Sequence, residues 1–240
     1  MESIAKMKSF IHLVFFSGFL FCNVPFRIGE TLYYNASFGG IPTASGILKV
    51  VDKEKVNDKT TFHVQFTAKS KGLANYIFPI DDEINIWLTE DSLKTIKAIS
   101  KINEGNYKTK RNVIIDHNKQ IAIVNNDSIE IKGDTHSPYS LFYYYRNKDF
   151  TKVKKDGINT IQGKKLTKLN IKIENNITVT VPAGEFMTTK LTPQKSNNQK
   201  FKNNGTMSIF FSNDKNRYPV LIWLKLKYGK LELELEKITN

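Results

Sequence analysis

The acidic, imidazole and hydroxyl side chains that could do chemistry in this 240-residue sequence are few and scattered. The densest acidic spot is Asp81-Asp82-Glu83. Paired carboxylates serve acid–base catalysis or bind cations, so the trio raises a hydrolase reading. It follows Phe78-Pro79-Ile80 at a strand start, however, where acidic turns are common and a surface role competes. His63, His117 and His136 stand far apart and make no metal-binding spacing such as HExxH. His117 sits in the turn-like run Asp-His-Asn-Lys-Gln, His63 on the polar face of its strand, and His136 with Asp134 just ahead of a helix signal. No Gly-x-Ser-x-Gly elbow and no phosphate-cradling Gly-x-x-x-x-Gly-Lys-Ser/Thr loop occurs. The sequence therefore names no catalytic residue, no cofactor and no metal.

The aromatics are better organised. His136-Ser-Pro-Tyr-Ser-Leu-Phe-Tyr-Tyr-Tyr-Arg146 predicts one short helix near 137–147. Ser137 suits the N-cap, and Pro138 the first helical position, where its missing N–H costs nothing. Tyr139, Phe142, Tyr143 and Arg146 then share a face at i, i+3, i+4, i+7, while Leu141, Tyr144 and Tyr145 cover much of the rest. A helix apolar nearly all round is buried, or lies between a sheet and a bound hydrophobic partner. Arg146 at its end offsets the helix dipole. Trp87, Tyr139, Phe142, Tyr143, Tyr144 and Arg146 are accordingly the candidate ligand-binding residues.

The elements that would position them are strands. Beyond residue 23 the chain alternates short β-rich runs with Gly, Asn, Asp and Lys turns. Phe62, Val64 and Phe66 fall on one face of 61–69, with Thr61, His63, Gln65 and Thr67 on the other. Similar runs recur at 31–38, 44–52, 84–89, 95–103, 107–116, 120–125, 128–132, 168–174, 177–181, 186–193, 206–212 and 220–228. Gly39-Gly40 reads as a hairpin turn. Apolar residues are even-numbered from Ile222 to Tyr228 and odd from Leu231 to Leu235, which requires a bulge or tight turn around Gly229-Lys230. The prediction is a mainly β, single antiparallel domain: a curved sheet, open barrel or sandwich closing on one short helix.

The first 22 residues read differently. Lys6 and Lys8 precede an apolar run from Phe10 to Phe21. As a helix it would be roughly 18 Å long, short of the roughly 30 Å of a bilayer core. This is the pattern of a secretory signal at 1–22, predicting a periplasmic domain over 23–240. Lipid attachment at Cys22 is the alternative, disfavoured by Phe19-Leu20-Phe21 where small residues are required. Cys22 is the lone cysteine, so the exported chain would have no disulfide and no thiolate site. The net charge of +13 comes almost wholly from lysine, with arginine at 27, 111, 146 and 217 only. Proteins that read bases lean on the arginine fork, and the aromatic helix carries almost no interleaved cations, so nucleic acid is excluded. The lysines are spread along the chain beside many asparagines, as compositional bias alone would leave them; the alternative is peripheral contact, a weak attraction to an anionic lipid or lipopolysaccharide surface.

Several segments together resemble the bacterial domain-of-unknown-function family 3108, a group of exported or envelope-associated proteins. They are "PFRIGETLYYNASFGGIPTASGIL" (25–48), "KSKGLANYIFPIDDEINIWL" (69–88) and "EGNYKTKRNVIIDH" (104–117). Pro138, Ser140, Tyr143 and Arg146 match its Pro-x-Ser-x-x-Tyr-x-x-Arg pattern, with Ser137 where an Asp is usual. "VPAGEF" (181–186) and "NDKNRYPV" (213–220) resemble its later markers. The resemblance implies export and one β-rich domain, and carries no catalytic residues with it. The functional expectation is a non-enzymatic protein that binds or scaffolds a lipid or other hydrophobic small molecule in the envelope. An envelope-polymer hydrolase using Asp81, Asp82 or Glu83, and a structural component binding an envelope protein, are the alternatives.

Overall fold

The computed structural model describes residues 24–153, 157–196, 206–226 and 229–240. The expected signal segment, Cys22 and Tyr228 lie outside them. Among the described residues the strands β1(Thr31–Phe38), β2(Ile41–Val56), β3(Lys59–Ser70), β4(Asp81–Thr89), β5(Thr95–Glu104), β6(Tyr107–Asp116), β7(Ile121–Val124) and β8(Asp127–Glu130) form an antiparallel meander. After β9(Thr135–His136) and a helical segment come β10(Ile158–Gln162), β11(Lys165–Val181), β12(Gly184–Lys195), β13(Thr206–Ser212), β14(Pro219–Leu226) and β15(Gly229–Thr239). All join one fifteen-stranded sheet, ordered β8-β7-β6-β5-β4-β3-β2-β1-β15-β14-β13-β12-β11-β10-β9.

The expected β architecture is thus present as an open barrel. The two edge strands, β8 and β9, are neighbours in sequence, and the chain between them bridges the seam. No ladder closes it. Side chains cross instead: the Asn159 amide donates to Lys132 O at 2.6 Å, and Lys164 pairs with Asp127 at 2.6 Å. β9 pairs parallel with β10, and every other ladder is antiparallel. Alternation puts Val64, Ile84, Ile86, Leu88, Ile115, Ile209 and Leu235 inside, nearly free of solvent.

Local chemistry explains the turns. Gly39 and Gly40 both have positive φ, +58° and +84°, and close a two-residue hairpin between Phe38 and Ile41. That primed turn matches strand twist, and glycine adopts it without a Cβ clash. The phase change near Gly229 falls between two strands, β14 and β15, which pair antiparallel with Leu226 opposite Gly229. The separate strands expected at 168–174 and 177–181 are one strand, β11. A register shift between Glu174 and Ile177 bends it, with Asn176 at φ +58°. β9 and β10 are too short, and too polar in sequence, to have been read as strands.

The predicted helix forms as a 3-10 turn Pro138–Ser140, an α-turn Leu141–Tyr144 and a second 3-10 turn Tyr145–Asn147. Ser137 occupies the N-cap in extended backbone, but its hydroxyl makes no cap bond; Ser140 N–H donates to the Ser137 carbonyl instead. What fastens the segment is Arg146. Its guanidinium, 1% exposed, meets the carboxylate of Glu30, 3% exposed, through Nη1–Oε1 at 2.5 Å and Nη2–Oε2 at 3.0 Å. Nε donates to Asn216 O at 2.9 Å and Nη2 to Pro25 O at 2.8 Å. The rings of Phe26, Tyr143 and Tyr218 surround it at 5.1–5.8 Å.

Removing one partner of a buried pair strands the other charge, at a cost of about 3–5 kcal/mol. Arg146→Lys, which cannot make the two-pronged contact, and Glu30→Gln should each lower the melting temperature by about 6–15 °C. In a double-mutant cycle their effects should fall well short of additive.

Candidate functional site

Inside the barrel, a cleft of about 340 Å³ lies between β4–β6 on one side and Ser137–Tyr139 with Ile161–Gly163 on the other. Its composition follows from strand alternation. The inward row of β5 is Ala98, Ser100, Ile102 and Glu104, opposite Val113, Arg111, Thr109 and Tyr107 of β6. Small residues at 98 and 100 leave the space. Ile84, Ile102, Val113, Ile115 and Ile161 make an apolar floor, while Glu104, Tyr107, Arg111, Tyr139 and Gln162 lie toward one end. Arg111 Nη2 donates to the Tyr107 hydroxyl at 2.7 Å, and Tyr139 stacks on Phe66 at 5.9 Å.

Asp82 joins this polar end. Alternation along β4 separates the acidic trio: Asp82 is buried inside, whereas Asp81 and Glu83 are exposed. The three carboxylates expected to act together therefore do not converge, and His117 is elsewhere, bonded to Thr95 O at 2.8 Å. Asp82 instead accepts from Asn103 N–H at 2.8 Å and lies beside the Glu104 carboxylate. Burial first, then Glu104, push its pKa up to about 6. Burial, with Asp82 and Glu104 beside it, raises Tyr139 to about 12, so its hydroxyl stays protonated. Among the described residues no cluster of His, Cys, Asp and Glu could hold a metal ion.

The six sequence-predicted ligand residues scatter. Tyr139 lines the cleft. Tyr144 lines a second hollow of about 370 Å³ with Tyr145, Lys148 and Ile158. Phe142 and Tyr143 are buried in the packed core, Tyr143 edge-on to Phe26 at 5.2 Å. Burial raises the Tyr143 pKa, and its hydroxyl is buried with no hydrogen-bond partner among the described residues. Arg146 is consumed by Glu30. Trp87 must be corrected: as an odd-numbered residue of β4 it lies on the face opposite Ile84, Ile86 and Leu88, away from the helix. There it stacks on His63 at 4.6 Å, lies under Lys97 at 4.3 Å and donates to Glu54 at 2.5 Å. Neighbouring side chains, not the core, bury it.

Sequence reading missed Ser100, Glu104, Tyr107 and Arg111. Arg111 carried a signal, being one of four arginines and in phase with inward Val113 and Ile115. His136, expected to help cap the helix, is instead buried against Tyr144 at 4.5 Å. Burial, then His117, depress its pKa to about 3.

An open β-barrel domain with an internal cleft is the class these features define. In fold the chain is similar to a β-barrel-like protein of the DUF1849 domain from Brucella abortus, with TM-score 0.55, 9% identity, and 88% of this chain and 97% of that one covered. Weaker likenesses are to a candidate exported protein with a YmcC-like fold from Bacteroides fragilis (TM-score 0.39, 11% identity, 90% and 98% covered) and a candidate lipoprotein from Parabacteroides distasonis (0.44, 14%, 91% and 99%). No curated protein matches the chain. The chain belongs to the family of proteins of unknown function DUF3108, which matches residues 33–236. No helix among the described residues is long and apolar enough to cross a membrane.

Two of the shifted groups, Asp82 and His136, act oppositely on stability. Asp82, raised in the fold, contributes stability below about pH 4 that is lost as pH rises to about 6. His136, depressed in the fold, contributes stability above about pH 6.5 that is lost as pH falls toward 3. Asp82→Asn keeps the acceptor for Asn103 and should stabilise the protein by about 1–2 kcal/mol at pH 7.5, with no gain at pH 4. Urea titrations across that range would measure it.

Proposed function

We propose that the protein is a non-enzymatic, periplasmic binding protein that holds the apolar chain of a lipid-like molecule in the cleft. One observation carries the reading: a hollow inside the barrel whose floor is aliphatic and whose charged and phenolic groups, Glu104, Arg111, Tyr107 and Tyr139, lie toward one end. Ligand sites commonly combine an apolar lining with a few placed polar groups. Here Ile84, Ile102, Val113, Ile115 and Ile161 would face a hydrocarbon chain, and Arg111, Tyr107 and Tyr139 would offer donors to its polar end. Asp82 and Glu104 set a constraint. Two carboxyls beside the opening favour a head group with donors, or protonation of one acid on binding.

The site departs from the expected one. It lies at the start of the helix around Tyr139 rather than along Phe142 and Tyr143, and the aromatic helix serves chiefly as a wall. The hydrolase alternative loses the convergent carboxylate trio on which it stood. Export of the chain accords with the resemblance of its first 22 residues to a secretory signal.

Protein purified from its native host should release an amphiphile on organic extraction, detected by mass spectrometry. In vitro it should bind a fluorescent fatty acid. Ala98→Phe and Ser100→Phe, each filling the cleft from β5, should weaken that binding at least roughly tenfold while the folded protein is retained. Undiminished binding in both folded variants would place the hydrophobe elsewhere.

A further inference from the structure

Strand directions put the β1–β2, β3–β4, β5–β6, β7–β8 and β10–β11 turns at one end of the barrel. It is the end where Glu104, Tyr107, Gln162 and Gly163 line the cleft. The β3–β4 loop there carries α1(Ala74–Ile77), a single turn with no buried residue. Leu73, Tyr76 and Ile77 are 80–85% exposed, and Phe78 is 52% exposed. Ile41 of the β1–β2 hairpin and Tyr107 of β6 add further exposed apolar surface at this end. Large apolar side chains gathered this way mark an interaction surface.

The loop is braced. The Ser70 hydroxyl donates to Asn75 at 2.7 Å and accepts from Ile80 N–H at 2.9 Å. Lys71 N–H donates to Thr43 O at 2.8 Å, tying it to β2. The apolar residues are therefore held outward by a fixed scaffold.

Lysines outnumber acids around the apolar loop. Around the apolar loop, Lys71, Lys108, Lys110, Lys164 and Lys165 are exposed, against Asp81, Glu104 and Asp127, the last paired with Lys164. At the opposite end the turn acids Asp58, Asp91, Asp116, Asp134, Asp149 and Asp214 are interleaved with exposed Lys55, Lys59, Lys119, Lys132, Lys152 and Lys215. Some lysines there pair with acids, Lys53 with Glu90, Lys94 with Asp134, Lys119 with Asp116 and Lys152 with Asp149, so the exposed apolar loop beside the lysines is what distinguishes the docking end. A basic surface crowned with Leu, Ile, Tyr and Phe complements one partner chemistry best. Anionic lipid supplies phosphates for the lysines and an apolar boundary for the loop.

We propose that this end of the barrel docks on anionic phospholipid bilayers, with Leu73, Tyr76, Ile77 and Phe78 entering the headgroup region. The cleft opens toward the same end, so a docked barrel would face its opening to the lipid. The docking surface itself stands on exposure and charge and does not depend on what the cleft holds.

The test uses the full chain with Cys22→Ser and one new cysteine labelled with an environment-sensitive fluorophore, Tyr76→Cys or, at the far end, Lys215→Cys. Vesicles of phosphatidylcholine with phosphatidylglycerol should blue-shift the label at 76 and leave that at 215 unchanged. Ile77→Asp, and Lys108→Glu with Lys110→Glu, should each weaken the response roughly tenfold or more. Comparison within one chain keeps any contribution of residues 10–21 common to all variants. Ala98→Phe should respond normally, which separates docking from cleft binding. No shift at 76, or an equal shift at 215, overturns the proposal. A shift without vesicles that grows with protein concentration also overturns it, assigning the loop to a second copy.

Discussion

The architecture depends on the ion pair between Arg146 and Glu30. A guanidinium 1% exposed to solvent is tolerable only because its charge and hydrogen-bonding groups are met by a carboxylate, two main-chain carbonyls and three aromatic rings. Those partners come from the approach to β1, from the helical segment and from the β13–β14 connection. The pair thus ties the chain's first described residues to elements more than a hundred positions later. Since β1 and β15 are mid-sheet neighbours, it also seats the helical plug against the centre of the barrel wall rather than at its seam. The segments that carry the family resemblance at Gly29-Glu30, Pro138–Arg146 and Asn216–Val220 meet at this point. Tyr34 reinforces it by donating to Pro219 O at 2.7 Å.

With the plug fixed by its C-terminal end, its N-terminal end is left to wall the cleft. Pro138 and Tyr139 face β5 and β6 across a gap that Ala98 and Ser100 are too small to fill. The open seam contributes as well. Because β8 and β9 do not pair, Gln162 and Gly163 approach β6 through side chains, and the Gly163 backbone comes close to Arg111. Interior volume, a polar end and an apolar exterior loop at that same end are consequences of one sheet that curls without closing.

Much of the fold was legible because its signals are local. Alternation in 61–69, the Gly39-Gly40 turn and the change of phase before Leu231 each report on a few adjacent residues. Errors arose where neighbours decide. The bulge at Asn176 keeps β11 continuous, and β9 exists only because β10 lies beside it. For Trp87 the alternation was itself readable, yet its aromatic bulk outweighed its phase, and His63, Lys97 and Glu54 bury it on the wrong face for the helix.

By itself the sequence determined the class, the strand periodicity, the Pro138-led helix and the lysine-rich charge, since each is set by residue type and spacing along the chain. Tertiary structure alone decided that Arg146 would be spent on Glu30, that Asp82 would leave its acidic neighbours for Glu104, and that lysines and bare apolar side chains would share one end. These are pairings across strands. Registers between distant segments create them, and no spacing within a single segment encodes them.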